Sequence, residues 1–144
     1  MKHRSKLLAL ALTLALSLGL MGSANAAGSK TAADFPDYDD TAWYAQAVSA
    51  AVDNDLLEGT DQGLLLPEGN LTRAEMAAMV DRAFGTYVKG DISQFTDVPK
   101  DTWYRDEIAM AYHMGTYEGT GKNTMSPENT ITRQEVLTIL ARAL

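Results

Sequence analysis

The chain predicts an all-α protein built as two tandem helix–loop–helix units. Apolar residues recur at the three-and-four spacing of amphipathic helices in four separate segments. Two of those segments open on nearly the same words, Thr72-Arg73-Ala74-Glu75 and Thr132-Arg133-Gln134-Glu135. The chain also repeats itself at an offset of 60 residues without a gap. Phe35 answers Phe95, Asp37 answers Asp97, and Trp43-Tyr44 answers Trp103-Tyr104. Glu58-Gly59-Thr60 answers Glu118-Gly119-Thr120, Pro67-Glu68 answers Pro127-Glu128, and Arg82-Ala83 answers Arg142-Ala143. Agreement held in register over that length is the mark of a tandem duplication.

The first segment is a targeting signal. Lys2, Arg4 and Lys6 form a positive start, Leu7 to Leu20 an apolar core, and Ala24-Asn25-Ala26 a small-x-small cleavage site. That core falls short of the about 20 residues a bilayer span needs. No Cys stands near the cleavage site, so a secreted, unlipidated product is expected, with residues 1–26 removed and no membrane insertion afterwards. The remainder holds nine basic against nineteen acidic residues, a net charge of −10. Such a balance argues against nucleic acid, whose phosphates demand clustered Lys and Arg, and against an anionic membrane surface. With no Cys in 144 residues, stability must come from an apolar core or from partner copies.

Residues 27–34 are small and polar and read as a flexible lead-in. The first unit is 35–84. Asp40 or Thr41 caps a helix whose stripe is Tyr44, Ala47, Val48, Ala51 and Val52. A loop then runs through Gly59, Gly63 and Pro67, with Leu64-Leu65-Leu66 as a short extended piece. The second helix starts at Thr72, with Met76, Met79, Val80 and Ala83 facing inward. Residues 85–94, containing Gly85 and Gly90, form a linker. In the second unit, 95–144, Tyr104, Ile108, Ala111 and Tyr112 make the first stripe, and Gly115 takes the helix C-cap position. Val136, Leu137, Ile139, Leu140 and Ala143 make the last.

Thr72 with Glu75, and Thr132 with Glu135, are capping boxes: each hydroxyl accepts from the Glu N–H, and each carboxylate accepts from the Thr N–H. Arg73 and Arg133 then fall on the first helical residue, where the helix dipole disfavours a cation by a few tenths of a kcal/mol. Two readings explain the repetition. Either free N–H groups plus a guanidinium bind a carboxylate or phosphate, or each Arg pairs with a neighbouring acid.

These residues resemble the S-layer homology repeat of bacterial cell-envelope proteins. That pattern runs Phe-x-Asp, Trp-Tyr opening a helix, a Gly loop, a Pro, and Ile-Thr-Arg-Ala-Glu opening a second helix. Here it occurs as Phe35-x-Asp37 through Arg82 and as Phe95-x-Asp97 through Arg142, covering nearly all the chain after the signal. The resemblance implies a pseudo-symmetric helical bundle lacking the usual third repeat, held at the cell wall without covalent attachment. It implies binding of an acidic secondary cell-wall polysaccharide, commonly one bearing pyruvate ketals. Arg73 and Arg133 are nominated to grip the carboxylate, with Gly59, Thr60, Gly119 and Thr120 as loop contacts. Glu58 and Glu118 depart from the pattern, since a carboxylate beside an anionic sugar repels it unless it turns away or accepts a hydroxyl. Gln134 departs too, standing where Ala is usual. Grooves beyond the first are expected to need a second copy or another repeat protein.

The remaining residues suggest little chemistry. Trp43 and Trp103 read as packing residues with sugar stacking as the alternative, and Phe35 and Phe95 as core. No pair among the acids is singled out as a glycosidase pair. Asp53-Asn54-Asp55 lacks the Gly and closing Glu of a calcium loop, and His113 stands alone, so no metal, cofactor or catalytic group is expected. The expectation is a non-enzymatic wall anchor. Its rival is a structural envelope subunit that assembles with another repeat protein and binds little glycan alone.

Overall fold

Residues 30–144 are described by a computed structural model. The targeting signal lies outside the described residues. Four helices follow in order: α1 (Ala45–Asp53), α2 (Arg73–Phe84), α3 (Arg105–His113) and α4 (Arg133–Ala143). A 3-10 turn at Ala32–Asp34 precedes them, and among the described residues only isolated bridges, with no strand, accompany them. The all-α expectation holds.

Each unit is fixed by the same local device. The Asp37 carboxylate accepts from Leu65 N at 2.9 Å and Leu66 N at 2.7 Å. Asp97 does the same for Met125 N at 2.9 Å and Ser126 N at 2.7 Å. An acid near the start of each unit thus ties down the loop 28 residues later, satisfying N–H groups that no regular element serves. The backbone N–H of Leu65 holds the Asp37 carboxyl below the usual carboxylate range, burial opposing it and Leu66 assisting. Leu66 has a φ of 50°, so the chain turns where an extended piece was expected.

Other local expectations shift. Residues 31–34 are docked, with Thr31 N and Oγ1 donating to Asp34 at 2.8 and 2.9 Å and Ala32 buried. Helix α1 starts later than expected, because Asp39 accepts from Thr41 N and holds residues 39–42 in a turn. Phe35 and Phe95 are buried as expected. Trp43 and Trp103 are not packed: they lie in the turns before α1 and α3, 94% and 63% exposed, edge-on to Tyr44 and Tyr104.

Packing does not follow the sequence units. Helix α2 of the first unit packs on α3 of the second and on α4, whereas α1 packs on the N-terminal 3-10 turn. The main core accordingly joins Ala74, Met76, Ala77 and Val80 of α2 to Ile108, Ala109 and Ala111 of α3. Ile92, Phe95, Val98, Tyr104, Tyr117, Met125 and Ile139 complete it. A second cluster holds Ala32, Phe35, Val52 and Leu65. Fourteen buried residues stand in the first cluster against four in the second, so stability is concentrated at the junction between units. The 85–94 segment crosses that junction in close contact, with Gly90 N donating to Ala109 O at 2.9 Å.

Candidate functional site

Where α2 meets the second unit, a cleft of about 180 Å³ opens. Arg73 forms its floor, the Glu118-Gly119-Thr120 loop one wall, and Gln134, Thr138 and Arg142 of α4 the other. The capping boxes set these side chains. Thr72 Oγ1 accepts from Glu75 N at 3.2 Å, and Thr132 Oγ1 from Glu135 N at 3.3 Å. Glu75 and Glu135 each accept in return from the Thr N–H, at 2.7 and 2.8 Å. Both helices therefore begin at the Arg, which fixes where each guanidinium departs from the backbone.

Arg73 is 5% exposed and spans the unit boundary. Its Nε donates to Met125 O at 2.9 Å, Nη1 to Glu135 at 2.7 Å and Nη2 to Glu118 O at 3.3 Å. The guanidinium lies 5.2 Å from the Tyr117 ring centroid, and the Tyr117 hydroxyl donates to Arg73 O at 2.7 Å. Burial pushes the Tyr117 phenol above its ordinary range, so it stays a donor. Glu135 is held below the usual carboxylate range, chiefly by the Thr132 N–H, then by the Thr132 hydroxyl, with Arg73 adding to it. Of the two sequence readings of this Arg, the internal acid partner is present. Three of a guanidinium's five N–H donors are engaged, leaving two. The N–H groups of Arg73 and Ala74 are also taken, by Asn129 O at 2.9 Å and Pro127 O at 2.8 Å. Loop carbonyls fill the place an anion would take at this helix end.

The named residues divide between two places. Arg73, Gly119, Thr120 and Glu135 meet at the cleft. Arg133 is exposed, makes no ion pair among the described residues, and lies on an open face of α4 with Gln134, Leu137, Thr138 and Ala141. Gly59 and Thr60 belong to the first unit's loop, away from the cleft. The two glycines pack on core aromatics: a Cβ on Gly59 would stand 2.4 Å from the Phe35 ring, and one on Gly119 3.0 Å from the Phe95 ring.

Sequence reasoning gave no role to Arg142, which lines the cleft and pairs with Glu118 at 2.9 Å. Arg82 and Glu58 make the same pair in the first unit at 2.7 Å. The carboxylates that departed from the family pattern are thus neutralised by arginines 24 residues on, and the repetition of Arg82-Ala83 as Arg142-Ala143 was the available signal.

The S-layer homology domain model matches residues 34–77 and 94–137. The chain belongs to the S-layer homology domain family. It is 31% identical over 115 residues, 77% of its length, to the surface-layer 125 kDa protein of Lysinibacillus sphaericus. It is 31% identical over 149 aligned positions, 100% of its length, to a cell surface protein of Thermoanaerobacter kivui. Similarity to the exoglucanase XynX of Acetivibrio thermocellus is 32% over 114 residues, 79% of the chain. The chain spans between 10% and 19% of the length of these relatives. S-layer homology domains are non-catalytic anchoring modules that bind cell-wall polysaccharide, and they place this protein at the cell surface, associated with the wall. Among the described residues no helix is long and apolar enough to cross a membrane.

Proposed function

We propose that the chain is a non-enzymatic anchor that seats an acidic, pyruvylated substituent of a secondary cell-wall polysaccharide in the cleft between its units. The observation that carries this reading is the convergence of Arg73 and Arg142 with the Gly119-Thr120 loop on one cleft. At about 180 Å³ it is smaller than the roughly 300–1,000 Å³ of drug-sized ligand sites, and suits one sugar substituent rather than a length of polymer. Arg73 and Arg142 are matched there by Glu135 and Glu118, so net charge does not draw the anion in. Affinity rests on charge-assisted hydrogen bonds from the remaining guanidinium donors, helped by Thr120, Gln134 and Thr138.

The test is co-sedimentation with purified wall polysaccharide before and after mild acid removal of ketals. Arg142→Ala should weaken binding about tenfold, the value of one lost charge-assisted bond, while Lys89→Ala on the far Asp106 pair leaves it unchanged. Equal binding by both variants, or binding indifferent to ketal removal, overturns the reading. Assembly with another repeat-bearing chain is a second reading, favoured by the exposed apolar residues Leu137 and Leu140 on α4.

A further inference from the structure

The junction between the units leaves a matching half-junction at each end of the described chain. On α2, Ala74, Ala77 and Val80 are 1%, 0% and 2% exposed beneath α3 and its loop. Their counterparts on α4 are Gln134, exposed, with Leu137 and Leu140 at 61% and 38%. On α3, Ile108, Ala109 and Ala111 are buried, whereas their counterparts on α1, Val48, Ser49 and Ala51, are only half-buried. Both helices of a second junction are present, and neither has the cover its copy has.

We propose that a second copy of this chain docks its α1 and following loop onto α4, head to tail, repeating the α2–α3 junction. This names the partner for the assembly reading above and does not depend on what the cleft binds. The polar atoms point to the same occupant. Arg73 reaches Met125 O and Glu135 Oε1 of the following unit. One period on, Arg133 is exposed without an ion pair among the described residues, and one period back stand Leu65 O and Glu75. The Glu75 capping bonds use Oε2, leaving Oε1 for an incoming guanidinium. Ile131 N donates to Leu71 O at 2.9 Å inside the chain. A docked copy supplies Leu71 N to Ile131 O in the same manner.

Volumes compensate as well. Ile108 of α3 becomes the smaller Val48 on α1, while Ala77 of α2 becomes Leu137 on α4. Bulk lost from one helix is regained on the other, the kind of exchange that a packed contact tolerates. Leu57 replaces Tyr117, so the hydrogen bond to the Arg carbonyl is not repeated, and Ala141 and Ala47 replace the Asp81 and Glu107 pair of acids. The contact is heterologous, and added copies form a ring or an open chain according to whether the rotation closes.

Sedimentation velocity of the purified protein over a rising concentration series tests this. Reversible association beyond the monomer is expected. Leu137→Glu, at an exposed position, should raise the dissociation constant about tenfold or more by burying an unpaired charge, with the thermal melt of the monomer unchanged. Ser49→Glu on the opposite face should do the same. Mixed together, the two variants should form a one-to-one complex, since one keeps a working head and the other a working tail. A monomer throughout the series overturns the proposal, as does association that ignores both substitutions. Ser49→Glu chains that pair with each other but refuse Leu137→Glu chains overturn it in favour of an α4-to-α4 contact. A monomer that captures a different repeat protein through Leu137 overturns the second copy while sparing the assembly reading.

Discussion

Arg73 in the first unit and Glu135 in the second are joined at 2.7 Å, 62 residues apart, through a guanidinium that is almost wholly buried. This pair couples the two units directly to the shape of the cleft. Truncating Arg73 removes a floor residue, strands Met125 O and Glu118 O, and leaves Glu135 without its cation. Breaking a buried pair costs about 3–5 kcal/mol, and the one-third exposure of Glu135 lowers the expectation for Arg73→Ala to about 2–3 kcal/mol. Urea unfolding should show that loss, against less than about 0.5 kcal/mol for Arg133→Ala on the surface. Arg73→Lys should not restore stability, because a point charge cannot serve three acceptors in the fork geometry.

The Gly119 loop should fail by overpacking. A Cβ there meets Gly121 O at 2.8 Å, Thr124 O at 2.9 Å and the Phe95 ring at 3.0 Å, two of them backbone atoms with little room to yield. Gly119→Ala should therefore cost about 1–3 kcal/mol and deform the cleft wall. Gly63→Ala is the control, since nothing lies within 4 Å of its Cβ and only its φ of 72° opposes the change, at about 1 kcal/mol. Thermal melts of the two variants, with Phe95 ring resonances followed by NMR, separate the effects.

Asp97 offers a test of how the loops are held. Asp97→Ala leaves Met125 N and Ser126 N without their carboxylate, beside a Met125 side chain that is fully buried. A loss of about 2 kcal/mol is expected, with faster proteolysis confined to residues 121–127. Cleavage elsewhere, or none, would show that the loop is held by its other contacts.

Interactions within one turn of chain were legible in the sequence. Thr72 with Glu75 and Thr132 with Glu135 are three residues apart, and that spacing forces their geometry. Phe35 and Phe95 read correctly because a large apolar residue at a repeated position has few places to go but inward. The partner of Arg73 was not legible, because a duplicated sequence offers each element two equivalent neighbours, its own unit's and the next unit's. Helix periodicity is satisfied either way, and only the fold reveals that α2 packs on α3. The Trp43 and Trp103 reading failed for a boundary reason: α1 and α3 begin at residues 45 and 105, so each Trp sits in the preceding turn and never joins a stripe. Leu137 and Leu140 are on a true helical stripe yet exposed, because periodicity identifies an apolar face without saying what covers it.

Asp81 makes the junction sensitive to pH. It is 3% exposed on α2, and neither carboxylate oxygen has a hydrogen-bond partner among the described residues. Burial pushes its carboxyl up to about 8, with the negative charge of Glu107 on α3 acting in the same direction and Arg82 opposing. Between its ordinary value of 3.8 and about 8, the folded protein holds a proton that the unfolded chain has released. The contribution is therefore fully present below the ordinary value and is lost as pH rises through that window. Stability should fall from pH 4 toward pH 8 by an amount on the order of a few kcal/mol, as the junction comes to bury a charge. Asp81→Asn keeps the shape of the protonated acid without its titration, so its stability should be flatter over the same range and exceed that of the parent at pH 8. Urea unfolding of both proteins at pH 5 and pH 8 decides it: equal pH slopes would mean that Asp81 is ionised and solvated in the fold.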